Sequence, residues 1–200
     1  MITLYIVRHG ETVENAQGIL QGHIQGHLSE KGKQQARDLR ERIANRIRPE
    51  QIESSDLQRT VDTAHILNEA WGVPIVTTPL LRERDWGELT GAPIADLPHD
   101  FPASVEPVPA MMDRARKYLR SLIERYGNRE TELLIVSHGV FSRCLQGAAL
   151  GKPIWEVARM NNGECRKVTI SVKTLPLLLR TDTDDAQNDN TEWLKQGSES

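Results

Sequence analysis

Arginine and histidine side chains stand directly after an apolar run at the start of the chain. Residues 2–7 are strand-forming, and Arg8, His9 and Gly10 follow them at once. Nitrogen-rich side chains beside a core-forming segment indicate a functional role. A guanidinium presents five donors in a planar fork that matches the oxygens of a phosphate or a carboxylate. Arg8 therefore predicts an anion site at the end of this segment.

Further polar residues stand at or shortly after the ends of later apolar segments, namely Arg59, Glu83 and His138. Arg59 is the most unusual, because the first turn of a helix carries partial positive charge and favours acidic residues such as Asp56. A guanidinium there, together with exposed helix N–H groups, would attract a phosphate or a carboxylate. We therefore predict that Arg59 contributes a second cation to the anion site.

Apolar periodicity predicts the elements that position these residues. The run over residues 2–7 is typical of a parallel strand buried on both faces. Further strands are predicted around Ile52, over 74–78 and over 133–136, with 166–172 and 175–181 as candidates for added strands. Helical spacing follows Ser29 and Leu57, covers 112–126 and resumes near Val140. This alternation predicts an α/β three-layer sandwich, with a mostly parallel sheet flanked by helices on both faces.

The carboxyl ends of parallel strands meet at one edge of a sheet, and ligands of open α/β sheets bind at that edge. Each candidate residue follows a strand of the predicted sheet. For any single arginine, an ordinary surface ion pair is the more common role. The joint recurrence of two arginines, two histidines and a glutamate at strand ends favours one shared site.

Composition narrows the class of protein. The formal charge of -3 over 200 residues argues against a nucleic-acid partner, which usually requires a strongly basic surface. No apolar run approaches the roughly 20 residues of a membrane span, and no signal-peptide pattern precedes the first strand. We therefore predict a cytoplasmic protein without a membrane partner. Cys144 and Cys165 form no CxxC pair and are predicted to be ordinary thiols.

Residues 1–181 are predicted to form a single domain. Within it, residues 92–110 contain five prolines and neither lysine nor arginine, which predicts a short, stiff cap loop. Residues 182–200 are polar, acidic and rich in Asn, Gln and Ser, which predicts a disordered tail.

Ordered motifs extend across this domain. They are VRHGET followed by Asn15, then LQGH, LSEKGKQQA, SSDLQRTVDTA, LLRERDWGELTG and LLIVSHG. The set resembles the histidine phosphatase superfamily, also called phosphoglycerate mutase-like, over roughly residues 2 to 172. An Arg-His-Gly tripeptide alone arises by chance, whereas the whole set in this order is specific. The resemblance implies an enzyme that acts on a small-molecule phosphate ester.

The resemblance also implies a role for each candidate residue. His9 is the expected nucleophile, which carries a phosphohistidine. Glu83 is the expected general acid, which protonates the leaving oxygen and later deprotonates water. The residues expected to surround the phosphoryl oxygens are Arg8, Arg59 and His138. Additional phosphate or substrate contacts are expected from Asn15, Gln21, Gly22 and Gly139. The resemblance implies neither a metal nor a cofactor.

Three functions are compatible with these motifs: a phosphatase, a cofactor-dependent phosphoglycerate mutase-type transferase, and a catalytically silent phosphate-binding or scaffold module. The mutase branch carries a longer, basic insertion after its Leu-Thr-Gly segment. Here no lysine or arginine follows Gly91 until Arg114, which favours hydrolysis. The presence of all five catalytic positions argues against a silent module. The ester and the oligomeric state stay open.

Substrate specificity is predicted to come from the cap loop and from four neighbouring side chains, those of Arg82, Arg84, Trp86 and Phe101. The residues expected to be catalytic grip the phosphoryl group that all such esters share, so they do not distinguish one ester from another.

Overall fold

The computed structural model describes residues 1–180 and 189–190. The strands are β1 (Ile2–Arg8), β2 (Gln51–Ser54), β3 (Ile75–Thr77), β4 (Thr131–Ser137) and β5 (Cys165–Ile170). In this part of the chain they form one sheet in the order β3-β2-β4-β1-β5. The pairs β1–β4, β2–β4 and β2–β3 are parallel, and β5 joins the edge of β1 antiparallel. The prediction of a mostly parallel sheet is confirmed.

The α-helices of the described residues are α1 (Val13–Ala16), α2 (Glu30–Ile43), α3 (Gln58–Asn68), α4 (Val108–Tyr126), α5 (Gly139–Leu150) and α6 (Leu175–Leu178). Short 3-10 turns occupy Pro79–Leu81, Gly87–Leu89, Ile94–Asp96, Ile154–Glu156 and Val172–Thr174. Along the residues described, no helix combines the length and the apolar character that crossing a membrane requires. The predicted cap loop, 92–110, is irregular apart from one 3-10 turn and the first turn of α4.

Two apolar clusters cover the two faces of the sheet. Leu4 and Ile6 of β1 join buried residues of α4 and α5 on one face, including Met112 and Leu145. Val7 of β1 joins buried residues of α2 and α3 on the other face. Because successive side chains of a strand point to opposite faces, β1 contributes to both clusters. The predicted three-layer sandwich is confirmed. Cys144 is buried in the first cluster, and Cys165 is half-buried; both are free thiols.

The register of the sheet aligns the ends of its two central strands. Arg8, the last residue of β1, lies opposite Ser137, the last residue of β4. His9 and His138 therefore leave the sheet side by side, and the His9 amide donates a hydrogen bond to the Ser137 carbonyl at 3.0 Å. Ser54, at the end of β2, is paired with Val136 of β4. The strand ends thus share one edge, as the sequence pattern predicts.

The prediction of a strand over 175–181 is wrong. Ser171 ends β5 by capping the next turn, since its hydroxyl accepts a hydrogen bond from the Lys173 amide. Pro176 then stands in the first turn of α6. Proline has no backbone N–H, and the N–H groups of a first turn have no partner within the helix, so proline is tolerated there. Leu178 is buried in the cluster formed with α4 and α5. Apolar residues here therefore cover a helix face, whereas the candidate strand over 166–172 is confirmed in part as β5.

Two glycines permit a close approach between the end of β1 and the start of α2. A Cβ atom at Gly32 would clash with the Glu11 carbonyl oxygen and stand 2.7 Å from the Glu11 amide nitrogen. A Cβ atom at Gly10 would meet the Gly32 backbone in the same way. Backbone atoms cannot rotate aside as a side chain does. The approach fixes the loop that carries His9 against α2.

Gly32→Ala is expected to destabilise the fold, although alanine is the better helix former by up to about 1 kcal/mol. Forcing a methyl group against the Glu11 backbone should cost about 1–3 kcal/mol. Urea unfolding measures the difference. The matched control is Glu41→Ala on the exposed face of α2, which should change stability by no more than about 0.5 kcal/mol. A Gly32→Ala protein as stable as the wild type would show that the approach is not tight.

Candidate active site

His9 lies at the end of β1 with its ring held in one tautomer. The side chain is 3% exposed. Its Nδ1 is 2.7 Å from the Gly10 carbonyl oxygen, which can only accept, so Nδ1 carries the hydrogen. Its Nε2 accepts a hydrogen bond from Nε of Arg59 at 3.3 Å. Burial, followed by the charges of Arg59 and Arg8, holds the pKa of His9 well below its ordinary value. The imidazole is therefore neutral at pH 7, and Nε2 carries a lone pair.

Arg59 stands in the first turn of α3 and is 1% exposed. Its Nη2 donates to the Gly22 carbonyl at 2.8 Å, and its Nη1 donates to the carbonyls of Ile24 and Gln25. These bonds tie the guanidinium to the loop that follows Gln21. Burial lowers the pKa of Arg59 to about 10, so the side chain remains charged at pH 7. The first turn of α3, where an arginine is unusual, thus places Arg59 beside His9.

Arg8 approaches His9 from the other side. Its Nη1 donates to the Met160 carbonyl at 2.6 Å, and its buried Nε has no partner among the described atoms. A Cβ atom at Gly139 would lie 3.1 Å from both Cζ and Nε of Arg8, so a glycine at the start of α5 makes room for the guanidinium. An unpaired buried donor is costly, which favours an acceptor at this position during function.

His138 lies beneath His9 and does not line the cavity. Its ring is fully buried, and the centroids of the two imidazoles are 5.3 Å apart in an edge-to-face arrangement. Burial, with the nearby charge of Arg59, holds the pKa of His138 well below its ordinary value. Both ring nitrogens lack a partner among the described atoms. One of them must carry a hydrogen, so His138 retains a donor for an incoming oxygen.

Glu83 lies against the first turn of α5. Its Oε1 accepts from the amides of Arg84 and Phe141, at 2.9 and 3.0 Å, and its Oε2 accepts from the amide of Val140 at 3.0 Å. The helix N-terminus thus fixes the carboxyl group, which lines the same cavity as His9. Since Oε1 has two donors and Oε2 has one, Oε2 keeps a lone pair that can hold or pass a proton.

The predicted substrate contacts Asn15, Gln21, Gly22 and Gly139 all line this cavity. Oδ1 of Asn15 accepts from the Thr12 amide at 3.2 Å, which closes the capping box of α1. Oε1 of Gln21 is buried without a partner among the described atoms. Gly22 has a φ of +51°, a conformation that non-glycine residues rarely adopt. The structure therefore brings every predicted site residue except His138 to the cavity surface.

Asn162 is a site residue that the sequence analysis missed. Its Nδ2 donates to the His9 carbonyl at 3.0 Å and to Oδ1 of Asn15 at 3.3 Å. A usable signal lay in the pairing of β5 with β1, because Val7 opposite Cys165 places residues 162–164 beside Arg8 and His9. Without the antiparallel pairing, nothing in the sequence connects Asn162 with the start of the chain.

The cavity has a volume of about 100 Å³, which suits a small ligand. Guanidinium, imidazole and carboxyl groups line it. Apolar residues line it as well, namely Ile19, Leu20, Trp86, Ile94 and Met160. Arg143 and Arg159 also line the cavity and were not predicted. In the described part of the chain, no three His, Cys, Asp or Glu side chains are grouped so as to hold a metal ion.

Three of the four predicted specificity residues, Arg82, Arg84 and Phe101, do not line the cavity. Arg82 forms a two-bond ion pair with Asp56, at 2.6 and 2.7 Å. Arg84 is fully buried, with Cζ 4.8 Å from the Trp86 ring centroid and 4.5 Å from that of Phe101. Neither Arg82 nor Arg84 therefore faces the cavity, in contrast to the prediction that both help to determine specificity. Trp86 lines the cavity, and Phe101 packs against it with ring centroids 5.5 Å apart.

The buried Arg84 has its carboxylate partner near the end of the chain. Its Nη2 donates to both carboxylate oxygens of Asp189, at 2.9 and 3.0 Å, and the Val108 amide donates to Oδ2 of Asp189. The next residue, Asn190, forms a β-bridge with Asp100 of the cap loop. The rest of the predicted disordered tail, apart from these two residues, lies outside the described residues.

Acid is expected to destabilise the protein through His9 and His138. Both have pKa values far below the ordinary value of about 6.5, so below that pH the unfolded chain binds protons that the folded chain does not. Stability that is present above about pH 6.5 is then lost as the pH falls, by up to about 1.4 kcal/mol per pH unit for each histidine. Urea unfolding between pH 7 and pH 5 measures this slope.

His138→Asn is the variant that tests this assignment, since asparagine is a good N-cap for α5. In this variant, the dependence of unfolding free energy on pH between pH 7 and pH 5 should be weaker by the contribution of one histidine. His65→Asn, at an exposed position on α3, is the matched control and should leave the slope unchanged. A slope that neither His138→Asn nor His9→Asn reduces would contradict the assignment.

Comparison with known proteins places these residues in a wider context. The family model described as "Histidine phosphatase superfamily (branch 1)" matches residues 4–176. A relative named "Probable phosphoglycerate mutase GpmB", from Salmonella paratyphi C, is 35% identical over 182 aligned positions. That alignment covers 82% of this chain and 82% of the relative.

Solved structures show the same architecture. A mycobacterial glucosyl-3-phosphoglycerate phosphatase in complex with VO3 superimposes with a TM-score of 0.76 and 29% identity, covering 86% of this chain and 93% of that one. A putative alpha-ribazole-5'-P phosphatase from Escherichia coli gives a TM-score of 0.76 over the same shares at 24% identity, which supports the fold alone.

Proposed function

Because the chain belongs to the histidine phosphatase superfamily, as a phosphoglycerate mutase-like phosphohydrolase, we propose that it hydrolyses a small phosphomonoester through a phosphohistidine at His9, without a metal ion. The resemblance read from the motifs is confirmed at the level of the family. The proposal rests above all on His9, whose Nε2 lone pair faces Arg59 in the cavity that Glu83 also lines.

In the first step, Nε2 of His9 attacks the phosphorus and the bond from phosphorus to the leaving oxygen breaks. Charge develops on the phosphoryl oxygens, where the guanidiniums of Arg8 and Arg59 stabilise it. His138, which packs edge-to-face against the His9 ring, holds a further donor next to this site. The bond from Nδ1 to the Gly10 carbonyl holds the ring orientation and stabilises the positive charge that the ring gains.

Glu83 completes both steps by moving one proton. It enters the first step protonated and gives the proton to the leaving oxygen. It then takes a proton from the attacking water as that water forms a bond to phosphorus and the bond from phosphorus to Nε2 breaks. Inorganic phosphate leaves, and His9 and Glu83 return to their starting states. Oε2, with its spare lone pair, is the oxygen suited to this transfer.

Hydrolysis is favoured over transfer by the chemistry of the cap. A mutase must hold a multiply charged intermediate and exclude water, and the cap loop 92–110 contributes no lysine or arginine to such a grip. Phosphoglycerate mutase activity is the second candidate, because the Salmonella relative is named a probable phosphoglycerate mutase. Phosphatases among the structural neighbours support the first.

The test is hydrolysis of p-nitrophenyl phosphate by the wild-type protein in excess EDTA. Release of nitrophenolate with one equivalent of phosphate, blocked by vanadate, is the expected result. Activity that appears only after a divalent metal is added would overturn the metal-free mechanism. Phosphate binding with no turnover of a phosphomonoester panel would instead indicate a silent module.

A second measurement separates hydrolase from mutase. The protein is incubated with 3-phosphoglycerate, with and without 2,3-bisphosphoglycerate, and both 2-phosphoglycerate and inorganic phosphate are measured. Interconversion of the phosphoglycerates much faster than phosphate release would favour the mutase. Phosphate release without interconversion would favour the phosphatase.

A further inference from the structure

The cavity holds more positive charge than one phosphoryl group needs. Arg8 and Arg59 flank His9 and account for the phosphoryl oxygens. Arg143 and Arg159 line the same cavity, and among its described lining residues Glu83 supplies the carboxylate. The chain as a whole is negative, with a formal charge of -3, so this concentration of guanidinium groups is local. A substrate with a second anionic group would meet this positive charge when it enters the cavity.

Arg143 holds the backbone that leads to Arg159. It is buried on α5, and it donates from Nε to the Val157 carbonyl at 2.8 Å and from Nη2 to the Ile154 carbonyl at 2.9 Å. Burial lowers its pKa to about 10, so it remains charged at pH 7. Its donors hold the loop that leads to Arg159.

Four consecutive backbone carbonyls of the loop that carries Arg159 accept hydrogen bonds from arginine side chains. After Val157, the carbonyls of Ala158 and Arg159 accept from Arg166, at 2.8 and 2.5 Å. The carbonyl of Met160 accepts from Arg8 at 2.6 Å. Each backbone carbonyl from 157 to 160 is therefore held by a guanidinium. The backbone on both sides of Arg159 is preorganised, which lowers the cost of binding a ligand there.

Arg159 is exposed, whereas Arg143 is buried and Arg8 and Arg166 are half-buried. Its charge reaches Arg8: burial lowers the pKa of Arg8, the charge of Glu83 raises it, and the charge of Arg159 lowers it further. Ile19, Trp86 and Ile94 also line the cavity, and a charged substituent of the substrate would avoid their apolar surfaces. Arg159 offers such a substituent a cation within the same cavity.

We propose that Arg159 determines specificity by binding a second anionic group, a carboxylate or a phosphoryl group, on the part of the substrate that leaves. The proposal rests on the function proposed above for the cavity. The cation then comes from the loop between α5 and β5, because the cap loop holds neither lysine nor arginine.

Binding of stable phosphonates tests this proposal without requiring turnover. Calorimetry compares ethylphosphonate with 3-phosphonopropionate, which adds a carboxylate, and with 1,3-propanediphosphonate, which adds a second phosphonate. The wild type should bind at least one doubly anionic ligand about 10- to 100-fold more tightly, the range of a charge-assisted hydrogen-bonded pair. The ligand that gains identifies which anion Arg159 accepts.

Arg159→Gln should abolish this preference and leave the affinity for ethylphosphonate within about twofold. Arg159→Lys should restore part of it, and Arg37→Gln on the remote helix α2 is the matched control. Equal affinity of the wild type for all three ligands, or a preference that survives in Arg159→Gln, would overturn the proposal. Failure to hydrolyse any ester, with the preference intact, would instead overturn the proposed function alone.

Discussion

His9→Asn is expected to reduce turnover of every phosphomonoester by at least about 10⁴-fold, as loss of a nucleophile does in other covalent mechanisms. Asparagine can still donate to the Gly10 carbonyl, as Nδ1 of His9 does, but it has no atom at the place of Nε2. The substitution therefore removes the attacking atom and keeps the loop contact. Initial rates of phosphate release give the size of the loss.

The same variant should also lose the phosphoenzyme. In the wild type, brief incubation with ³²P-labelled substrate followed by denaturation should leave label that is labile in acid and stable in base. His9→Asn should carry none, and the exposed His65→Asn should carry as much as the wild type. Label that persists on His9→Asn protein would show that another residue is the nucleophile.

Glu83→Gln is expected to have the second-largest effect, and that effect should depend on the leaving group. An alkoxide needs a proton to depart, so kcat/KM for an alkyl phosphate should fall by about 10²- to 10⁴-fold. Nitrophenolate departs without one, so kcat/KM for p-nitrophenyl phosphate should fall far less. We compare kcat/KM because it reports only the steps up to departure of the leaving group. It does not include the later attack of water on the phosphohistidine, in which Glu83 also acts.

Two measurements separate a loss of proton donation in Glu83→Gln from a loss of stability. The glutamine amide provides one oxygen where the carboxylate accepts from three backbone amides, so the variant should unfold at lower urea concentration. The leaving-group dependence is independent of that loss, because the same folded protein acts on both substrates. Equal losses of kcat/KM for the alkyl and nitrophenyl esters would remove Glu83 from the role of proton donor.

Much of the fold follows from local patterns. The apolar run of β1 and the helical periods of α2 and α3 predict the sandwich, and parallel strands predict the shared edge where His9 lies. Arg59 was detectable because it contradicts the preference of its own helix turn. Such signals survive in sequence because each depends on residues close together in the chain.

Side-chain direction and long-range pairing were harder to predict. Arg82, Glu83 and Arg84 follow a short turn, and neighbouring side chains of an extended segment point to opposite sides. Once Glu83 points into the cavity, its two neighbours point away from it. Arg159 and Asn162 lie in a loop without periodicity, and they reach the site through the pairing of β5 with β1.

The contact between Arg84 and Asp189 changes where the folded unit ends. The family match stops at residue 176, and the polar composition beyond 181 would encourage a shorter version of the protein for crystallisation. Such trimming would delete the carboxylate that neutralises a fully buried guanidinium beneath Trp86. The folded unit therefore extends past the end of the family match, because Asp189 holds Arg84 against Trp86, which lines the cavity.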